Sequence, residues 1–129
     1  MVELGLVEAV PPVQLSIRLL VPAGSKLLEL PGFDALIGPF DPKLLGYPWR
    51  NPDARVDALQ REIQHYVAEA DKNNTPRRAT FEHVWRLVHA ALGKSASSLA
   101  ERDLGQAIPH MSEPWYCCAE PTEAQLESF

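Results

Sequence analysis

The chain is poor in several things that would otherwise declare a function. It has two cysteines in 129 residues, so no spaced disulfide framework or multi-cysteine metal cage can be drawn. No apolar run approaches the roughly 18 residues that a bilayer-crossing helix needs. The start, Met1 to Gly5, carries no basic segment and no apolar core of the kind a secretory signal has. Basic residues are outnumbered, 12 against 17 acids, for a net charge of −5, which leaves no footprint for nucleic acid. Arg77, Arg78 and Arg86 form the one basic cluster and read as a solvated helix start. No phosphate-cradling glycine loop is present, since Gly24-Ser25 lacks the other residues of a P-loop. These absences point to a cytoplasmic protein with no membrane and no nucleic-acid partner.

What remains is typical of a globular chain: 46% hydrophobic and 22% charged residues, enough for one modest core or part of a larger one. All prolines except Pro76 lie in residues 1–52 and 109–129, which predicts irregular ends around a helical middle. The expected organisation is a strand and a Pro/Gly-rich linker over 1–50, a helical region over 51–108 and a cysteine-bearing tail over 109–129.

From Pro12 to Val21 the residues Val13, Leu15, Ile17 and Leu19 alternate with Gln14, Ser16 and Arg18, a period of two that predicts a strand. Ser25 is placed to cap a short helix over Lys26 to Leu30. The stretch from Pro31 to Pro52 carries Phe33, Phe40, Tyr47 and Trp49, aromatics expected to pin irregular backbone onto a neighbouring surface. Asn51 as N-cap, Pro52 at the first position and Asp53 at the positive end of the dipole predict a helix start. Val56, Leu59, Ile63, Tyr66, Val67 and Ala70 supply its apolar face until Asn73-Asn74. Thr75-Pro76 opens a second helix with Ala79, Val84, Leu87, Val88 and Ala91 as its stripe, flanked by Phe81 and Trp85 and closed by Gly93. Ser98 and Glu101 have the spacing of a capping box for a third helix ending near Ile108.

Candidate chemistry is sparse. His83 and His89 are six residues apart and fall on different faces of one helix, while His65 falls on a polar face. Asp53, Asp57, Glu62 and Glu69 read as solvated. Gln14 and Arg18 have two readings: inside an enclosed barrel Arg18 would need an anionic partner, and on an open sheet both would be wet. Cys117 and Cys118 are adjacent. Their Cα atoms are about 3.8 Å apart across a trans peptide, against roughly 4.4–6.8 Å in relaxed disulfides. A bond between them would be strained and readily reduced, which suits redox work or soft-metal binding. His110 lies close enough in sequence to offer a third ligand.

The tail Trp115-Tyr116-Cys117-Cys118-Ala119-Glu120-Pro121 resembles the signature of radical SAM proteins that end in a Cys-Cys-Ala-Glu-Pro or Cys-Sec-Ala-Glu-Pro motif. The block Gln14 to Ser25 resembles the last barrel strand and exit turn of those proteins, and Tyr47 to Gln60 resembles the region that follows. The resemblance spans nearly the whole chain but only the C-terminal portion of a family member. It implies a mainly α (α+β) fold, with one or two N-terminal strands closing a partial (β/α) barrel, then a helical hairpin and an irregular Cys-Cys tail. It implies Cys117 and Cys118 as catalytic or metal-ligating residues, with Gln14 and Arg18 toward a cofactor. In the selenoprotein form the second position of the pair is selenocysteine, which makes Cys118 the reactive member and Cys117 its resolving partner or co-ligand. The complete enzyme would hold a 4Fe-4S cluster and S-adenosylmethionine, with room for a cobalamin, and would act on a small molecule or peptide.

One departure is decisive. The family binds its cluster through a Cys-x3-Cys-x2-Cys loop, which two adjacent cysteines cannot provide. The resemblance therefore implies a partner, the N-terminal radical SAM portion, on the same or a separate chain. The rival expectation is a non-enzymatic binding module whose tail is a thiol switch. Glu113, Glu120 and Glu123 oppose thiolate formation by local charge, so activation of Cys118 would have to come from elsewhere.

Overall fold

The computed structural model describes residues 1–107. The described residues divide into two compact units: residues 1–16 together with 58–107, and residues 17–57. Among the described residues the regular structure is helical: two α-helices, α1 (Ala54–Lys72) and α2 (Arg77–Ala91), and four short 3₁₀ turns.

In the first unit the helices form a hairpin. α1 ends where Asn74 takes a left-handed φ of 52°, which its short polar side chain tolerates. The Thr75 amide there bonds back to the Ala70 carbonyl at 2.8 Å. α2 starts behind Pro76, which occupies the cap position with φ −55° and no side-chain cap. Gly93, at φ 66°, closes it, with its own amide and that of Lys94 bonded to the Ala90 and His89 carbonyls. Ile63 and Val67 of α1 pack on Val84 of α2, with Leu15, Leu59, Tyr66, Leu87 and Val88 around them. Phe81, one turn before Val84 on α2, belongs to a second cluster with Val7, Leu99 and Leu104, plus Val2, Leu15 and Trp85; Leu15 packs against both. Thr80 is fully buried, its hydroxyl donating to the Pro76 carbonyl at 3.3 Å.

The segments flanking the hairpin are irregular and are held by side chains and by the Glu8 amide, which donates to the Leu104 carbonyl at 2.9 Å. Arg77 Nη1 donates to the Glu8 carbonyl at 2.6 Å. Arg78 Nη2 donates to the carbonyls of Leu99 and Ala100, while its Nε faces Glu82 at 3.1 Å. These two arginines are thus staples rather than the solvated pair expected. The third helix is not formed within the described residues: Ser98 caps a single turn, closed by Arg102 bonding to Leu99. Asp103 then turns the chain at Gly105, while burial of Leu99 and Leu104 fixes it against Phe81. Gly105 passes so close to Gly5 that a Cβ would meet the Gly5 carbonyl oxygen.

The second unit is built from isolated antiparallel bridges, with prolines cutting the ladder short. Ile37 faces Trp49 and Asp41 faces Gly46, an irregular hairpin whose tip is an Asx turn: Asp41 Oδ1 accepts from the amides of Lys43 and Leu44. Pro22 bridges Gly46, and the Tyr47 amide donates to the Val21 carbonyl at 2.8 Å. Gly46 is required there, because a Cβ would stand 2.8 Å from the Val21 oxygen. Val21 is buried, and Phe40 meets Tyr47 edge to face at 5.4 Å. Ser25 caps Lys26–Glu29 through the Leu27 amide, as its position predicts.

The strand expected over Pro12–Val21 is not present as a strand. Pro11 and Pro12 start a 3₁₀ turn, Pro12–Leu15, closed by the Ser16 amide and hydroxyl on the Val13 carbonyl. Period-two alternation gives a strand only when a neighbour supplies the ladder.

Candidate functional site

Of the residues singled out in the sequence, Cys117, Cys118 and His110 lie outside the described residues. Gln14 sits exposed in the 3₁₀ turn of the first unit. Arg18 belongs to the second unit and has the most constrained surroundings of the set.

The first turn of α1 builds those surroundings. Asn51 Oδ1 accepts from the Asp53 amide at 2.9 Å, and Asp53 Oδ1 accepts from the Arg55 amide at 3.0 Å. Asp53, two residues later than expected, therefore caps the helix. Its carboxylate also takes Arg55 Nε and Nη2 in a fork. The Arg55 guanidinium and amide bonds hold the Asp53 carboxyl down at about 2. One turn on, Asp57 reaches back, its Oδ2 accepting from the Asn51 amide at 3.1 Å. Its Oδ1 faces Arg18 Nη1 at 3.2 Å.

Arg18 is thereby held on three sides. Nη1 meets Asp57, Nη2 donates to the Trp49 carbonyl at 2.6 Å, and the guanidinium carbon lies 4.3 Å over the Trp49 ring. Trp49 is itself anchored, its Nε1–H donating to the Leu19 carbonyl at 2.9 Å. The side chains of Arg18 and Asp57 are only 16% and 12% exposed. Stacking on the indole suits a guanidinium, which is planar and weakly hydrated, and adds about 1–2 kcal/mol at a partly desolvated site. The anionic partner that a buried Arg18 demands is supplied by this chain. Asp57 supplies a charge opposite to that of Arg18, and what the clasp does chemically is fix the first turn of α1 against the Ile17–Val21 segment.

Asp57 is the residue that sequence reading missed, having been assigned to a solvated helix face, whereas it is buried. The signal was available as a requirement: an inward arginine needs a carboxylate, and Asp57 opens the helix that follows Trp49.

The histidines behave as core-edge and surface groups. His65 is exposed, His83 stacks on Tyr66 with centroids 3.7 Å apart, and His89 packs against Trp85 with Nδ1 2.8 Å from the Trp85 carbonyl. Among the described residues no three His, Cys, Asp or Glu side chains gather as a metal site. No helix among them is long and apolar enough to cross a membrane. Three comparisons with known proteins close the description: no protein-family model, no curated protein and no solved structure matches this chain.

Proposed function

We propose that this chain is the C-terminal region of a radical SAM enzyme, carrying a redox-active or cluster-ligating vicinal cysteine pair, Cys117-Cys118, into an active site completed by an N-terminal portion. The observation that carries the reading is the tail Trp115-Tyr116-Cys117-Cys118-Ala119-Glu120-Pro121. The 4Fe-4S cluster and S-adenosylmethionine belong to that N-terminal portion, because the two cysteines here cannot form the three-cysteine loop. The block Gln14 to Ser25 is the proposed last barrel strand and exit turn; its part beyond the 3₁₀ turn, Ile17–Val21, is what would pair once a neighbouring sheet is supplied. Support for that role lies in its exposure pattern, with Ile17 and Leu19 outward at 46% and 51% and Arg18 turned in. An outward apolar edge beside an inward charge inverts the usual order for a segment facing water. The fold tolerates this because Asp57 neutralises Arg18.

The test begins with the reading frames encoded beside this one, searched for a Cys-x3-Cys-x2-Cys loop. The product carrying that loop is then purified anaerobically with this chain, loaded with iron and sulfide, and examined by electron paramagnetic resonance. A reduced 4Fe-4S signal that changes on adding S-adenosylmethionine is expected. An assembly of the two wild-type proteins that takes up no cluster overturns the proposal.

A second reading is favoured by a different observation. Residues 17–57 pair Arg18 with Asp57 and close through the Val21–Tyr47 and Pro22–Gly46 pairings. Internal pairings of this kind fit a binding module with a thiol-switch tail. A monomeric, cooperatively melting isolated chain supports the module, and an aggregating or partly molten one supports the enzyme portion.

A further inference from the structure

We draw no further inference here: the strongest candidate, the exposed apolar pair Ile17 and Leu19 beside the Arg18–Asp57 clasp, is an apolar face, and nothing among the described residues shows what covers it.

Discussion

Replacing Asp57 by alanine tests the account of the second unit most directly. The substitution removes the carboxylate that faces Arg18 at 3.2 Å and the oxygen that accepts from the Asn51 amide at 3.1 Å. A hydrogen bond to a charged group contributes roughly 1.5–3 kcal/mol, and breaking a fully buried ion pair costs roughly 3–5 kcal/mol. Two features pull the expectation toward the lower range. The pair keeps 16% and 12% of its side-chain surface in contact with water, and 3.2 Å is long for a charge-assisted bond. Arg18 also retains the Trp49 carbonyl and ring. A loss of about 2–3 kcal/mol follows from these terms. In urea, with a slope of about 1.5 kcal/mol/M, that loss lowers the unfolding midpoint by more than 1 M. Asp57→Asn keeps an acceptor for the Asn51 amide and removes only the charge, so its loss is expected to be about half as large. The double replacement Arg18→Met with Asp57→Leu removes both charges and is expected to recover most of the stability, since apolar residues of similar volume commonly replace such pairs at little cost. If Asp57→Ala lies within about 0.5 kcal/mol of the wild type, the pair behaves as a surface contact and the clasp is not what holds the helix entry.

Other expectations concern packing, backbone and charge. Phe81→Ala empties the centre of the cluster with Val7, Leu99 and Leu104 and should lower stability by about 3–4 kcal/mol in the same urea assay. A loss under about 1 kcal/mol would mean that this cluster is not formed. Gly46→Ala sets a methyl against the Val21 carbonyl oxygen and should cost about 2 kcal/mol; an alanine variant as stable as the wild type would show that the Val21–Tyr47 pairing is not tight. Asp53 should titrate near 2 by carboxyl-carbon NMR, below its ordinary 3.8. Because its folded value is the lower one, its contribution to stability is complete above 3.8 and is lost as pH falls toward about 2. Arg55→Ala should move that midpoint upward, and no movement would assign the depression to some other group.

The helical hairpin was legible because its signals are local. The three- and four-residue spacing of Leu59, Ile63, Tyr66 and Val67, and the stops at Asn74 and Gly93, depend on nothing outside the helices. The Ser25 cap was legible for the same reason. Expectations that needed distant partners fared differently. Alternation from Val13 to Leu19 is a necessary mark of a strand, yet the ladder must come from elsewhere, and Pro11-Pro12 favours a 3₁₀ turn instead. Ser98 and Glu101 have capping-box spacing, but Leu99 and Leu104 gain more from burial beside Phe81 than a short helix would return. Arg77 and Arg78 look solvated in a sequence because carbonyl partners leave no pattern; theirs lie 69 residues upstream and 21 and 22 downstream. The same blindness hid Asp57, whose partner is 39 positions away.

Those two adjacent arginines make the opening turn of α2 a clamp with two jaws. One jaw grips the carbonyl of Glu8 near the start of the chain and the other the carbonyls of Leu99 and Ala100 beyond the hairpin. The two gripped segments are also tied to each other, by the Glu8 amide on the Leu104 carbonyl and by Val7 buried with Leu99 and Leu104, so they open as one, and unwinding the first turn of α2 loosens both. The hierarchy of local opening is thereby set: amides around the exposed Arg102 should exchange with solvent well before those of Thr80 to Val84. A protease probing the described residues would cut the exposed turn at residues 101–103 before it cut the hairpin.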